Sequence, residues 1–287
     1  MSDFQQATAK LQQWIEQQLK QGISKQQLYF YLLKRDFAQS MIDLLLDGYQ
    51  PVANTAAIEQ LPEILSPEQS AVFNEASHYF SFANIRLTTE QKRFQLPVSD
   101  VQIFKVPQVV EAKLCEQLII RSRRFFSPSE VVGQKYAVQD SGRSSTTALV
   151  RDIAADVEKK LQRSFGALLG IDPRFCEPLQ IQCYQPGQAY QNHADWFDKA
   201  HPGYKESIGS QGQRTWTCLV YLNEDFEGGE TLFTNIKQQI KPATGSACIW
   251  NNLQVNGEVN SETYHQGLPV KKGTKYILTA WFRAKPL

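Results

Sequence analysis

Five segments between Leu179 and Arg283 alternate apolar with polar side chains, and this two-residue period constrains the fold more than any other feature of the chain. They are Leu179–Tyr184, Thr215–Leu222, Thr231–Asn235, Ser246–Asn251 and Lys275–Arg283. In a strand, successive side chains point to opposite faces. Leu179, Ile181 and Cys183 therefore share one side of the first segment, and Gln180, Gln182 and Tyr184 share the other. Such half-buried strands, separated by glycine and proline turns, predict an antiparallel jelly roll: two sheets enclose a core, and their mouth can hold a site. On the last strand Lys275, Ile277, Thr279 and Trp281 lie on one face. A lysine on a face otherwise mostly uncharged is costly to bury unless it meets a partner.

The N-terminal part follows a helical period instead. Leu11, Trp14, Ile15 and Leu19 form one apolar stripe that Gly22 can terminate. Ser24 with Gln27 forms a capping box for a second helix whose buried face is Leu28, Leu32 and Leu33. Ser40 before Met41, Leu44 and Leu45 predicts a third, ended by Gly48 and Pro51. The organisation read from this is a helical module over 1–50, a connector over 51–100 with a helix from Gln69 to Phe82, and a larger domain over 101–287. Within the last, Val101–Val106 predicts a strand and Val110–Phe126 an amphipathic helix, with strands following. The fold class is thus α+β: a jelly-roll core with flanking helices and a small N-terminal helical bundle.

With 287 residues the chain can bury a large core. Its net charge of +1 offers no field that would draw nucleic acid or an anionic membrane. Five cysteines, odd in number and without Cys-x-x-Cys spacing, argue for reduced, buried thiols rather than a disulfide framework or a zinc site. The start of the chain lacks a basic segment leading into an apolar run, and no apolar stretch is long enough to span a bilayer, so a cytoplasmic protein is expected.

Four histidines occur, and two of them stand out. His193 and Asp195 flank Ala194. On an extended segment both side chains would point to the same side. With His265 brought in by the fold, two histidines and one carboxylate can hold one face of an Fe(II) ion and leave three positions open. Lys275 follows ten residues later, placed to anchor a co-substrate carboxylate. His78 and His201 lie in segments without a comparable pattern.

These residues sit inside longer blocks: YQPGQAYQNHAD (184–195), RTWTCLVYLN (214–223), GGETLF (228–233) and HQGLPVKKGTKY (265–276), closed by Trp281 and Arg283. In this order the blocks resemble the prolyl 4-hydroxylase branch of the Fe(II)/2-oxoglutarate dioxygenases, over roughly Val101 to Leu287. The resemblance implies a double-stranded β-helix with His193, Asp195 and His265 as catalytic iron ligands. It implies that Lys275 pairs with the distal carboxylate of 2-oxoglutarate, that Tyr184 bonds the same group, and that Thr231 borders that pocket. Tyr190 and Arg214 match positions near the iron and the peptide groove. Arg143, Ser144 and Ser145 stand where the family carries an Arg-Thr-Ser run, with Ser144 departing from it, and Arg143 and Trp281 join the substrate contacts. The segment from Ser127 to Val150 resembles the family's mobile loop and the strand after it, a lid over a bound chain.

The implied cofactors are Fe(II), 2-oxoglutarate as co-substrate and O2, with ascorbate as reductant. The implied partner is a protein or peptide containing proline, with neither membrane nor nucleic acid involved. The same oxidative chemistry on another residue, a free amino acid or a small molecule is the alternative, as is a metal-binding sensor without turnover. The oligomeric state is not legible.

Overall fold

The computed structural model of the chain describes residues 3–34, 42, 45–49, 101–129, 143–254 and 257–287. The chain divides into two compact units, residues 1–85 with 255–258, and 86–254 with 259–287.

In the first unit, helix α1 spans Asp3–Lys20 and α2 spans Lys25–Lys34. Their boundaries follow the sequence signals. Gly22 takes φ +91°, a conformation other residues resist, just past α1. The capping box forms as read: the Ser24 N–H donates to Gln27 Oε1 at 2.9 Å and the Gln27 N–H to Ser24 Oγ at 3.2 Å. Leu11, Ile15, Leu28 and Leu32 are buried, and the Trp14 and Tyr31 rings stack at 5.7 Å. Ile42 and Leu45 have helical backbone, but most of the expected third helix, the side chain of Leu33 and the connector over 51–100 lie outside the described residues.

The second unit is built on strands. In chain order they are β1 (Ile103–Val106), β2 (Ser127–Pro128), β3 (Thr146–Leu149), β4 (Gln180–Tyr184), β5 (Tyr190–His193), β6 (Arg214–Tyr221), β7 (Glu227–Gly228), β8 (Thr231–Phe233), β9 (Gln238–Ile240), β10 (Ala247–Asn251), β11 (His265–Gly267), β12 (Val270–Lys272) and β13 (Lys275–Arg283). Antiparallel pairing gives a major sheet in the order β1-β10-β6-β13-β4-β3-β2, a minor sheet β5-β11-β8-β9 and a ribbon β12-β7. Ile103, Leu219, Tyr221, Trp250 and Ile277 of the major sheet pack with Phe233 and Ile240 of the minor one in a single apolar cluster. The two sheets face each other across it, in agreement with the jelly roll expected from the strand pattern.

Two expectations need correction. The strands were read as having one wet face, yet every residue of β6 and of β10 is buried. Polar residues on these strands do not face solvent: Thr215 donates to the Phe282 carbonyl, Thr217 to Asp195 and Asn251 to Gln102, while Arg214 lines an internal pocket. The stretch after Phe126 was read as strands alone, and it contains a 20-residue helix, α4 (Val150–Leu169), which packs with α3 (Ala112–Ser122) and β3. Two local features hide α4. Its N-cap is Leu149, without a capping side chain, and Ala154 breaks the helical backbone at φ −166° and ψ 87°. Glu158 then reaches from α4 to accept the Leu179 N–H at 2.8 Å, tying the helix to the residue before β4.

Candidate metal centre and pocket

His193 ends β5 and His265 begins β11, and the two pair directly across the minor sheet. Pairing thus brings together histidines that are distant in sequence. Asp195 lies just past β5 rather than on it, in a bend, so the two-residue period holds for His193 but not strictly for the carboxylate. One ligand atom from each of the three falls within 4.8 Å of the others, a separation that can hold one metal ion.

The hydrogen bonds fix what each ring offers. His193 Nδ1 lies 2.8 Å from the Gln191 carbonyl and His265 Nδ1 lies 2.9 Å from the Thr263 carbonyl. A carbonyl can only accept, so both Nδ1 atoms carry the proton and both Nε2 lone pairs are free for a metal. Burial, followed by the neighbouring His265, pushes His193 down to about 3, which keeps its ring neutral at pH 7. Burial alone would raise the Asp195 carboxyl, but His265, His193, Arg214 and the Thr217 hydroxyl hold it below the usual carboxylate range. Two neutral imidazoles and an ionised carboxylate suit a divalent transition metal, and the donor set fits Fe(II).

A pocket of about 330 Å³ opens beside these residues, and its lining includes Arg143, Tyr184, Tyr190, Arg214, Thr231, Lys275 and Trp281. All seven were singled out in the sequence. Lys275 is 2% exposed and forms no ion pair among the described residues. Burial pushes its ammonium down to about 8, partly offset by Glu230. Gly229, at φ +69° in the turn before β8, lets the backbone pass this lysine: an added Cβ would stand 3.1 Å from Lys275 Cδ. Tyr184 lies beside it, with the ammonium 5.2 Å from the ring centre. Thr231 accepts a hydrogen bond from Tyr221 at 2.7 Å.

The remaining assignments divide. Tyr190 stacks on His193 at 3.6 Å, and Arg143 lies 4.9 Å over the Tyr190 ring, joined to it by a β-bridge. Arg214 was read as a substrate or supporting contact near the iron. Its guanidinium is committed to Glu177 through two bonds of 2.8 and 2.7 Å, packs 4.0 Å over Trp281 and lies 3.5 Å from the Asp195 carbonyl, so it shapes the wall. Trp281 forms part of the lining, and its buried indole N–H has no partner among the described residues. Residues 130–142 of the expected lid lie outside the described residues.

Sequence reasoning passed over Tyr221, Gln182, Trp196, Tyr264 and His201. Tyr221 supports Thr231, and the other four line the pocket. Gln182 could have been found, since it shares a strand face with Tyr184. His201 could not, because its loop has no period.

A β-sandwich whose inner mouth carries two histidines and a carboxylate, with a buried lysine along the same pocket, defines the class of mononuclear metal oxygenase sites. Residues 179–283 match the family model of the 2OG-Fe(II) oxygenase superfamily. The chain is 29% identical over 192 residues to prolyl 4-hydroxylase subunit alpha-1 of Caenorhabditis elegans, covering 67% of this chain and 32% of that protein. It is 38% identical over 110 residues to a putative prolyl 4-hydroxylase of Acanthamoeba polyphaga mimivirus, covering 38% and 46%. A viral collagen prolyl hydroxylase from Paramecium bursaria Chlorella virus-1, solved with 2-oxoglutarate, is 28% identical, with 63% of this chain and 95% of that one covered at a TM-score of 0.47. The chain spans 32% and 46% of the length of these two curated relatives, less than half of either. Residues 179–283 thus resemble the 2OG-Fe(II) oxygenase superfamily, with prolyl 4-hydroxylases among the relatives of the chain, and the His193, Asp195 and His265 donor set fits the Fe(II) that this superfamily uses together with 2-oxoglutarate and O2.

Proposed function

We propose that this protein hydroxylates a prolyl residue in a protein or peptide, using Fe(II) and 2-oxoglutarate. The observation that carries this reading is a single pocket that joins a two-histidine, one-carboxylate cluster to a buried lysine without an ion pair among the described residues. When bound, the metal and the keto acid supply an oxidant no side chain can provide: 2-oxoglutarate loses carbon dioxide to become succinate, one oxygen atom of O2 enters succinate and the other enters a C–H bond.

His193, Asp195 and His265 would hold the iron, and backbone hydrogen bonds keep both rings in the tautomer that leaves Nε2 available to it. Lys275 supplies a positive charge for the distal carboxylate of 2-oxoglutarate, while Tyr184 and the Tyr221–Thr231 pair offer hydroxyls at the same end. Tyr190, Arg143 and Trp281 line the pocket on the side offered to the entering chain.

The test is to incubate the purified protein with Fe(II), 2-oxoglutarate and a library of proline-containing peptides. Succinate release coupled to a gain of one oxygen atom on proline is expected. Succinate release without modified proline, whichever peptide is offered, would overturn the prolyl assignment while leaving the dioxygenase chemistry in place.

A further inference from the structure

Behind Asp195 runs a line of buried polar side chains that neither the co-substrate end nor the peptide-facing residues use. The two oxygens of this carboxylate have different surroundings. Oδ1 lies 3.7 Å from His193 Nε2, towards the metal position, whereas Oδ2 accepts from Thr217 Oγ1 at 2.7 Å. Asn252 Nδ2 lies 2.9 Å from the same Thr217 oxygen, and on its other side Trp250 Nε1 lies 3.0 Å from Asn252 Oδ1. Thr217, Trp250 and Asn252 are fully buried.

The direction of every bond in this line follows from donor chemistry. An indole N–H can only donate, so it fixes the Asn252 carbonyl towards Trp250 and its amino group towards Thr217. That amino group can only donate, so the Thr217 oxygen is the acceptor and its single proton is left for Asp195. An ionised carboxylate can only accept, which closes the line. The Asn252 backbone is held as well: its N–H donates to the Thr215 carbonyl at 2.8 Å and its carbonyl accepts from Asn260 at 2.9 Å.

We infer that Asn252, acting through Thr217, is a positioning residue for the Asp195 ligand. By occupying Oδ2 it leaves Oδ1 as the one oxygen offered to the metal, so the carboxylate binds through a single atom and the positions needed by 2-oxoglutarate and O2 stay open. This rests on the metal site proposed above. Bonds aligned in one direction in a dry interior reinforce each other, and outer partners of this kind typically govern metal affinity.

The full-length protein is titrated with Co(II), which reports coordination through its ligand-field absorption without any turnover. Asn252→Ala, Asn252→Asp and Thr217→Val are each expected to weaken Co(II) by about 10–100-fold and to alter that absorption, while Thr217→Ser, which keeps the hydroxyl, restores both. Combining Asn252→Ala with Thr217→Val should cost no more than the larger single change, because the two act in series. A folded Asn252→Ala protein with wild-type affinity and spectrum would overturn the inference, as would independent effects that multiply. If neither Asn252 variant folds, the threonine pair decides: equal Co(II) affinity in Thr217→Val and Thr217→Ser counts against the relay. His265→Ala separates this failure from failure of the site itself. Normal Co(II) binding in His265→Ala removes the metal site, whereas its loss beside unaffected Asn252 variants removes only the relay.

Discussion

At the scale of single residues, Lys275 sets the clearest expectation. A buried ammonium held down to about 8 stays mostly protonated at pH 7, when it can pair with a carboxylate, and loses that charge as pH rises through 8. The affinity for 2-oxoglutarate should therefore be full below pH 7 and fall by about tenfold per unit above 8, measured anaerobically with metal-loaded protein. Lys275→Ala should remove this dependence. It should also weaken 2-oxoglutarate by about 2–5 kcal/mol without altering metal content, because a charge-assisted bond is lost and the carboxylate is left unpaired. Lys275→Arg should restore it only in part, since the planar fork is wider than the site made for an ammonium. Unchanged 2-oxoglutarate affinity in Lys275→Ala would move the anchor elsewhere. His265→Ala should abolish iron binding while the far-ultraviolet circular dichroism is preserved, since the ring packs on the edge of the apolar cluster, against Phe233 and Trp250, and the cluster's own side chains stay in place.

At the scale of elements, Glu177 carries an unusual share of the connections. Its carboxylate accepts from Arg214 of β6 and from Arg283 of β13, at sequence separations of 37 and 106 residues. Arg283 in turn donates to the carbonyls of Ser207, Ile208 and Gly212 around the short helix α5 (Tyr204–Ile208), part of the pocket rim. Burial opposes the charge on Glu177, but the two guanidinium groups outweigh it and hold its pKa below the ordinary value of 4.5. The group therefore stabilises the fold above that value, and its contribution is lost as pH falls through the lower folded value. Glu177→Gln should cost about 3–5 kcal/mol at neutral pH, because two buried guanidiniums lose their counter-charge. It should also flatten the acid limb of stability, and denaturant unfolding at pH 7 and at pH 4 would measure both effects. A Glu177→Gln protein as stable as wild type at pH 7 would show that the cluster contributes specificity and not stability.

At the scale of the whole molecule, the N-terminal helices carry an apolar face of their own, and we expect them to recruit a folded protein substrate. Removing residues 1–50 should leave hydroxylation of short peptides within roughly twofold while lowering turnover of a whole protein by tenfold or more, since a second contact raises effective concentration without touching the chemistry. Aggregation of the shortened chain would instead mark the helices as a cover for apolar surface. The sequence by itself determined the secondary-structure boundaries that carry strong local signals, such as the Ser24–Gln27 cap and the glycine turns. It also singled out His193, Asp195, His265 and Lys275 as candidates, because a His-x-Asp spacing and a lysine on an apolar strand face are local properties. It did not determine which strand faces are wet. When both faces of β6 and β10 are buried, polar residues such as Thr217 look in sequence like surface residues, and only the packing of two sheets buries Thr217 against the Asp195 carboxylate. The kink at Ala154 and the missing cap at Leu149 hid α4 for a similar reason: contacts with α3 and β3 stabilise it where local propensity does not. The meeting of His193 with His265, the seating of Arg214 on Glu177 and the line from Trp250 to Asp195 were left to the tertiary structure. Hydrogen bonds and ion pairs between residues far apart in sequence depend on strand order and register, and no local pattern encodes either.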